Sequence, residues 1–333
     1  MSTIHFLNVK NGDCSIIQHN SGHVSVIDVC NASRHSEIVE DFSLHDSSPS
    51  GNYHQKEHPT NPIAYLKQVV KTTSIFRYIQ THPDMDHMDG IKDLFNSFSV
   101  INFWDTENAK DIPKDSEFGP YNREDWEFYQ KIRFGQKGLT VLNLYAGSTG
   151  QYYNQDEDGL SGGDRLFILS PTKELIAEAN ESGNYNNASY CLLYIDGAFK
   201  VIFAGDTEEA AWNSILKNYK SMVSDVDLLI APHHGRKTGG NDIYLDILNP
   251  KLTLFGNADS KDLDYSSWNN RGLIHITNNQ AGNIVINFSH STMSVYCSNE
   301  SFAKDVYEQT SYNSKYQAFF LWLLRKNEHM KYK

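Results

Sequence analysis

Four potential metal ligands lie within six consecutive positions of this sequence. Residues 81–87 read THPDMDH, and the ligand-bearing side chains are His82, Asp84, Asp86 and His87. An apolar run typical of a strand, 75–80, comes before them, and apolar residues at helical spacing follow from Ile91. Aspartate and histidine side chains that are buried must be paired or bound to a metal. The pattern therefore predicts a metal site at a strand-to-helix connection, and the alternative is a polar turn that caps the helix.

Two later segments carry further ligand types after predicted strands. Asp206 follows the strand-like run 199–204 and precedes a helical pattern, where taken alone it would be an N-cap. His233 and His234 follow the run 226–230 and, taken alone, would be surface residues. Adjacent side chains point in different directions, so we expect only one of the two to bind the same ion as Asp206. Because functional sites of α/β proteins favour the C-terminal ends of strands, the three segments together predict one metal centre at that edge.

The charge balance narrows the classes of partner. Among the 333 residues, 29 Lys and Arg face 41 Asp and Glu, which gives a net charge of −12. This counts against a protein whose whole surface binds duplex nucleic acid, and it leaves a local basic groove open. Apolar residues at 39% and aromatic residues at 12% suffice for the core of one large domain or two ordinary ones.

The sequence favours a cytoplasmic protein without a membrane segment. The longest strongly apolar run, 319–324, is far shorter than the roughly 20 residues of a membrane span. The first nine residues lack the basic and apolar regions of a secretory signal. The widely spaced cysteines are typical of reduced thiols rather than of a disulfide framework; they are Cys14, Cys30, Cys191 and Cys297.

The apolar patterns predict one α/β domain with inserted loops. Strands are predicted near 4–9, 14–19, 24–29, 75–80, 100–104, 165–169, 190–195, 199–204, 226–230, 252–255, 273–276, 284–288 and 293–297. Helical patterns begin at Pro62, after residue 90 and at Thr207, and a last helix is predicted over 314–325. We expect a domain over 1–300, with insertions at about 31–61, 105–137 and 146–164, and a C-terminal helical extension, 301–333, that packs on it.

The order of these motifs resembles the metallo-β-lactamase fold. HxDxDHxxG, then GD before a helix, then PHHG after a strand is the order of that family, and the nuclease domain of the competence protein ComEC and its stand-alone relatives are the most similar subgroup. Further matches to this subgroup are FLNVKNGDC at 6–14, VID at 26–28, LSP at 169–171 and NNAS at 186–189. The resemblance runs from about residue 4 to residue 288, interrupted by the inserted loops.

The resemblance implies an αββα four-layer sandwich with a centre for two divalent metal ions, Zn²⁺ or Mn²⁺. His82 and Asp84 would hold one ion and Asp86 and His87 the other, with Asp206 as the bridge. His233 or His234 would complete the second site. Of this pair, we assign His233 to the metal and His234, together with Asp86, to catalysis.

The chain departs from the family pattern at the first metal site. Many relatives have histidine in place of Asp84, and a carboxylate there favours Mn²⁺ relative to Zn²⁺. Residues 100–205 contain no histidine that could complete this site, so we expect the first ion to be weakly held, with Asn187 or Ser189 near the missing ligand. Asp28 is expected to support the ligand loop rather than to bind metal.

The segment after PHHG offers groups that can bind a phosphate. Arg236 and Lys237 supply two cations and Thr238 a hydroxyl, and together with Asn187 and Ser189 they are the predicted substrate-binding residues. An ordinary solvated basic surface is the alternative for the two cations.

Three functions remain open at the level of the sequence. The leading hypothesis is a metal-dependent phosphodiesterase or nuclease, with a nucleic acid as its partner and a hydroxide between the metals as its nucleophile. A hydrolase of a small phosphodiester, such as a cyclic nucleotide or a phosphorylcholine ester, is the alternative that the acidic surface favours. A non-catalytic binding member of the fold is the third. No membrane partner is expected, and a protein partner stays an open question at this level.

Overall fold

The structure is a computed structural model that describes residues 1–33, 51–114, 118–135, 138–238 and 240–326. Its strands, in chain order, are β1 (Thr3–Phe6), β2 (Ser15–Gln18), β3 (Val24–Ile27), β4 (Ser74–Ile79), β5 (Ser99–Trp104), β6 (Thr140–Leu142), β7 (Leu166–Ser170), β8 (Cys191–Asp196), β9 (Phe199–Phe203), β10 (Leu228–Ile230), β11 (Leu252–Phe255), β12 (His275–Thr277), β13 (Ile284–Phe288), β14 (Thr292–Cys297), β15 (Tyr312–Asn313) and β16 (Ala318–Arg325). Its α-helices are α1 (Pro62–Tyr65), α2 (Ile91–Ser97), α3 (Arg123–Arg133), α4 (Lys173–Ser182), α5 (Glu209–Val223), α6 (Ile243–Leu248), α7 (Tyr265–Asn269), α8 (Asn278–Ala281) and α9 (Glu300–Val306).

Within the described residues, these strands form two sheets. The first has ten strands in the order β15-β16-β14-β13-β1-β2-β3-β4-β5-β6, and the second has six in the order β12-β11-β10-β9-β8-β7. Strands β3 to β6 pair in parallel, and so do strands β9 to β12. Parallel neighbours bring their C-terminal ends to one edge of a sheet. The segments that follow β3 and β4, and those that follow β9 and β10, are therefore neighbours within their sheets.

The two sheets pack face to face on alternating side chains. On β1, Ile4 and Phe6 belong to the same buried cluster as Val201 and Leu228 of the second sheet. His5, between them in sequence, points away from that cluster and contacts α1. The period of two that a strand imposes on its side chains thus divides each strand between the inner layer and an outer layer.

Helices cover both outer faces. Leu94 of α2 and Trp126 of α3 pack with the outward side chains of the first sheet. Trp212 of α5 and Leu248 of α6 do the same on the second sheet. The layers therefore run helices, sheet, sheet, helices, and the predicted αββα four-layer architecture is confirmed.

The helix predicted over 314–325 is wrong, because the segment forms β16 and pairs antiparallel with β14. A short apolar run fits either a helix or a strand, and the pattern alone does not separate them. In the structure, Leu321 and Leu324 enter the core between the sheets, and β14 supplies the hydrogen-bond partners. The described part of the predicted C-terminal helical extension, 301–326, therefore contains α9 followed by β15 and β16.

The predicted insertions lie only partly within the described residues. Residues 34–50, 115–117, 136–137 and 327–333 fall outside them, so the predicted domain limits stay predictions. The insertion at 146–164 is tied to the first sheet by the buried side chain of Arg77, whose Nη2 donates to Asp164 Oδ2 at 2.6 Å and to the Tyr152 carbonyl at 3.0 Å. Among the described helices, none combines the length and the apolar character needed to cross a membrane.

Burial of His5 makes the fold sensitive to acid. Its Nδ1 lies 3.0 Å from Tyr65 Oη and its Nε2 lies 3.0 Å from Gln18 Oε1. Burial lowers the pKa of His5 from 6.5 to about 4, although the contact with Gln18 opposes the change. Between these values the unfolded chain binds more protons than the folded chain. The free energy of unfolding therefore falls as the pH drops from 6.5 to 4, with about 3 kcal/mol from this group.

We expect the His5→Gln variant to lose less stability than the parent chain between pH 7 and pH 4.5, because the glutamine does not titrate. Urea unfolding at both pH values measures the difference. The exposed His290→Gln variant is the matched control and should keep the parent's pH dependence. Equal losses in the parent and the His5→Gln variant would show that other groups set the acid sensitivity.

Candidate metal centre

The predicted ligand residues meet at one edge of the sandwich. His82, Asp84, Asp86 and His87 follow β4, Asp206 follows β9, and His233 and His234 follow β10. The loop after β4 makes a single 3₁₀ turn over Met85–His87. The amide of Gln80 holds this turn closed, because Nε2 donates to the His82 carbonyl at 2.9 Å and to the His87 carbonyl at 3.0 Å.

Asp28 fixes the ring orientation of two histidines. Its Oδ2 lies 2.7 Å from His87 Nδ1 and accepts a hydrogen bond from Thr81 Oγ1 at 2.6 Å. The same threonine oxygen lies 3.0 Å from His82 Nδ1. A carboxylate only accepts, so His87 carries its proton on Nδ1, and the Thr81 oxygen in turn accepts from His82 Nδ1. In their neutral forms, both imidazoles therefore have the lone pair on Nε2, aimed into the centre, as the expected supporting role of Asp28 requires.

Asp206 lies in the middle of four imidazoles. One carboxylate oxygen is 3.2 Å from His87 Nε2. The other is 3.8 Å from His82 Nε2, 3.6 Å from His233 Nε2 and 3.8 Å from His234 Nε2. The Asp206 side chain is buried. Its position corresponds to that of the predicted bridge.

Within the described residues, three groups of side chains bring possible ligand atoms within 4.8 Å of one another. They are His82 with His87 and Asp206, Asp86 with His87 and His234, and Asp13 with Asp206 and His234. Asp84 and His233 belong to none of the three. The structure therefore brings together most of the predicted ligands and adds Asp13.

Buried polar atoms without hydrogen bonds show that a cation fits this cluster. These atoms are His82 Nε2, His87 Nε2, Asp206 Oδ1, Asp13 Oδ1, His233 Nδ1 and both ring nitrogens of His234. Two short approaches, His87 Nε2 to Asp206 Oδ1 and His234 Nδ1 to Asp13 Oδ1, lack the alignment of a hydrogen bond. Buried polar groups are rarely left unpaired, and imidazole and carboxylate atoms together suit a divalent ion of intermediate hardness.

The acidic and basic side chains of the centre shift one another's pKa values. Burial by itself raises the pKa of Asp206, but His87 and the neighbouring imidazoles hold it well below its usual value. Burial by itself lowers the pKa of His234, yet Asp13 and Asp206 raise it to about 10. The pKa of His87 is raised well above its usual value, against its burial, by Asp206 and Asp28. A divalent ion that binds here displaces protons, so its affinity rises with pH.

Asp84 lies against the positively charged side chain of a lysine. Lys110 Nζ forms an ion pair with Asp84 Oδ1, and the other carboxylate oxygen lies 3.7 Å from His82 Nε2. Burial opposes ionisation of Asp84, but His82 and Lys110 together hold its pKa below the usual range. The predicted ligand of the first metal is therefore engaged by an ammonium group.

The two adjacent histidines occupy different environments. Both have left-handed backbone angles, with φ of 51° at His233 and 59° at His234. His234 is buried and lies in two of the three ligand groups, with Nε2 3.5 Å from Asp86 Oδ2. The side chain of His233 is 21% exposed, and its Nε2 lies 3.5 Å from Arg236 Nη1. His234 is therefore the more buried of the two and the one that lies among the possible ligand atoms, and the assignment of His233 to the metal stays a prediction.

The predicted substrate-binding residues are divided between the centre and its surroundings. Arg236 lies beside His233 and also 3.5 Å from Asp262, whereas Lys237 is exposed and Thr238 is half-buried. Ser189 is buried next to the centre and accepts a hydrogen bond from the Asp206 amide at 3.3 Å.

Asn187 faces helix α5 instead of the metal centre. Its Oδ1 accepts from the Ala211 amide at 3.2 Å, and its Nδ2 donates to Glu208 at 3.3 Å. Both ends of its side chain are therefore used to hold the start of that helix.

Asp13 and Lys110 are the site residues that the sequence patterns did not reveal. Asp13 follows Gly12 in a segment that reads as a hairpin turn. A Cβ at Gly12 would lie 2.2 Å from the Asp86 carbonyl oxygen, so glycine is required where this turn meets the ligand loop. The signal available in the sequence was the match of FLNVKNGDC, at 6–14, to the family pattern. Lys110 carried no such signal, because a lone lysine in a polar loop is ordinary.

Solved structures match the chain by fold, whereas no protein-family model and no curated protein sequence matches it. CmlA, a diiron β-hydroxylase from Streptomyces venezuelae, aligns over 86% of this chain and 54% of its own at 12% identity, with a TM-score of 0.43. A diphosphatase of the PhnP family aligns over 83% of this chain and 94% of its own at 12% identity, with a TM-score of 0.39. A metallo-β-lactamase from Hirschia baltica aligns over 68% of this chain and 84% of its own at 13% identity, with a TM-score of 0.31.

These similarities concern the fold alone. The chain spans about half the length of CmlA, of which 54% is covered. One of these neighbours is described as a metallo-β-lactamase. The neighbours do not confirm the ComEC-type subgroup, which stays a prediction.

We expect Asp28→Asn to lower the affinity for a divalent ion about ten- to a hundredfold, the usual effect of removing a carboxylate that orients a ligand histidine. The asparagine keeps the shape of the side chain but no longer fixes the His87 and His82 rings. Competition with a chromophoric chelator measures the affinity. Asp246→Asn, on the surface beside Arg271, is the control and should bind like the parent. An affinity of Asp28→Asn within threefold of the parent would contradict the orienting role.

The environments of the two adjacent histidines lead to opposite expectations for their alanine variants. We expect His234→Ala to lose tight binding of the divalent ion, because it removes a member of two ligand groups. His233→Ala should retain an ion at nearly the parent's affinity. Metal analysis of each purified variant after dialysis tests this. Retention by His234→Ala and loss by His233→Ala would reverse the assignment.

Proposed function

We propose that the protein is a metal-dependent hydrolase of phosphodiesters, with nuclease activity as the leading form of that chemistry. The observation that carries this proposal is the buried cluster of imidazole and carboxylate atoms without hydrogen-bond partners around Asp206. A centre of this composition, at one edge of an αββα sandwich, suits a divalent ion that activates water. The finer assignment to phosphodiesters rests on the cations beside the cluster.

In this proposal Asp86, His87, His234 and Asp206 hold the ion. A divalent ion in such a site supplies a nucleophile at neutral pH, by lowering the pKa of bound water, and neutralises charge on a phosphoryl oxygen. The protein's part is to keep the ligand atoms in place. Asp28 does so for His87, and Asp13 lies 3.1 Å from the outer nitrogen of His234.

His233 and Arg236 act on the substrate in this proposal. His233 is the more exposed of the two adjacent histidines, and its Nε2 lies 3.6 Å from Asp206. We assign to that nitrogen the proton transfer to the leaving alkoxide. Arg236, whose Nη1 is 3.5 Å from the same ring, is positioned to bind a non-bridging phosphate oxygen through its guanidinium.

A small phosphodiester is the second candidate substrate. The chain carries a net charge of −12, and Arg236 lies 3.5 Å from Asp262, which reduces its attraction for a long polyanion. A small diester needs only the local cations. A long nucleic acid instead needs a basic track, and its binding weakens steeply with salt.

A substrate panel in the presence of Mn²⁺ or Zn²⁺ tests the proposed function. The panel contains plasmid DNA, single-stranded DNA, RNA, cyclic nucleotides and bis-p-nitrophenyl phosphate. We expect diester hydrolysis that disappears with a chelator and returns with metal. Turnover that falls steeply with salt on long DNA, but not on the small chromogenic diester, favours the nuclease. Salt-independent turnover confined to small diesters favours the second candidate.

The Asp206→Ala variant provides the decisive comparison. Because Asp206 lies within 4 Å of four imidazoles, its removal should reduce bound metal and bring hydrolysis to the level of the uncatalysed control. Metal analysis and turnover are measured on the same preparation. If metal content and diesterase activity are both unchanged, the centre does not carry the reaction.

A further inference from the structure

Lys110 is held at the rim of the metal centre by a well-anchored segment. After β5 the chain passes along residues 105–110, where Asn108 Nδ2 donates to Tyr129 Oη at 2.8 Å. The Asn108 carbonyl accepts from Arg133 Nη2 at 2.6 Å, and the Ala109 amide donates to Asn180 Oδ1 at 2.7 Å. Contacts to α3 and α4 thus fix the backbone immediately before Lys110.

The side chain of Lys110 is positioned as closely as its backbone. Its Nζ forms the ion pair with Asp84 and lies 5.6 Å from the ring centre of Tyr185, within the range of a cation–π contact. An exposed ion pair by itself contributes little and proves no role. Here the lysine side chain is only 26% exposed and its aromatic neighbour limits its freedom.

The first metal site of the two-ion arrangement keeps few free ligands among the described residues. One oxygen of Asp84 is engaged by Lys110, which leaves His82 Nε2 as the imidazole atom of that site. Residues 100–205 contain no histidine, and the hydroxyl oxygen of Ser189 already accepts a hydrogen bond from the Asp206 amide. Asp84 also lies outside the ligand groups found among the described residues.

The second site, in contrast, has a full set of ligands. Asp86, His87 and His234 have ligand atoms within 4.8 Å of one another. Asp206 adds a carboxylate oxygen 3.2 Å from His87 Nε2 and another 3.8 Å from His234 Nε2. Four such ligands from the protein satisfy a divalent ion of intermediate hardness.

We propose that the centre holds a single divalent ion, in the group formed by Asp86, His87, His234 and Asp206, and that the Lys110 ammonium on Asp84 takes the place of a second ion. This inference deepens the proposed function and rests on it. An ammonium group has three hydrogen-bond donors, and the pair with Asp84 uses one of them. The others bind a phosphoryl oxygen of the substrate, so the phosphate meets one metal ion and one lysine.

The arrangement gives the carboxylate of Asp84 a role that a neutral imidazole could not take. A carboxylate pairs with an ammonium group as an imidazole does not, and Asp84 thereby holds Lys110 over the centre. The pair is neutral overall, so a second divalent ion would have to displace the lysine to gain that ligand. The remaining N–H donors of the lysine favour an acceptor oxygen, such as that of a phosphoryl group, at this side of the metal.

Metal stoichiometry and phosphate binding test the proposal independently of turnover. Native mass spectrometry with excess Mn²⁺ or Zn²⁺ should find one tightly bound ion in the parent chain and two in Lys110→Met, where Asp84 becomes a free ligand. Calorimetry with inorganic phosphate, at one equivalent of metal, should show at least tenfold weaker binding in Lys110→Met. Lys110→Arg keeps the positive charge and should retain the single ion.

The control is Lys92→Met, since Lys92 forms an ion pair with Glu124 at the surface and should affect neither measurement. Two ions of comparable affinity in the parent chain would overturn the proposal. An unchanged stoichiometry together with unchanged phosphate binding in Lys110→Met would also overturn it. A chain that shows the expected stoichiometries yet hydrolyses no diester would support the Lys110 pairing while refuting the proposed function.

Discussion

The site depends on one buried carboxylate, Asp206, that lies among four imidazoles. A carboxylate removed from water requires positive charge or hydrogen-bond donors nearby, and here its neighbours provide ring nitrogens at 3.2 to 3.8 Å. The neighbouring carboxylates raise the pKa of His87 and of His234, which favours the charged forms of these rings. A cation supplies positive charge more completely, because it also satisfies ring nitrogens that otherwise lack partners. The same requirement explains why acidic side chains and histidines collect at this edge.

The parallel pairing of the strands brings the ligand side chains and their supporting residues together. Asp28 follows β3 and Thr81 follows β4, and the register of the two strands sets the carboxylate 2.7 Å from the Thr81 amide. From there a single carboxylate controls two imidazole rings. The second sheet contributes Asp206 and His234 in the same way from β9 and β10. The rigid strands thus position the ligand side chains more accurately than a loop alone could.

Much of this was predictable from local sequence. The strand runs, the ligand segment at 81–87 and the position of Asp206 before α5 follow from residue type and spacing, whereas the αββα layers were implied only by the resemblance to a known family. The prediction failed where one apolar run is compatible with both a helix and a strand. This is the case at Ala318–Arg325, which pairs with β14 as a strand instead of forming a helix. It also missed α4, at Lys173–Ser182, whose apolar side chains are few. Short apolar runs are ambiguous because packing partners, not propensity, decide between helix and strand.

The sequence by itself determined the chemistry available to this protein, since it set imidazoles and carboxylates after predicted strands. The tertiary structure decided how they are used. It turned Asn187 towards α5, brought Asp13 beside His234 and set Lys110 against Asp84. These contacts join residues from 24 to 221 positions apart. No local pattern encodes such distances, because the packing of two sheets and the loops between them brings the side chains together. The choice between a second metal and a lysine at Asp84 therefore belongs to the fold.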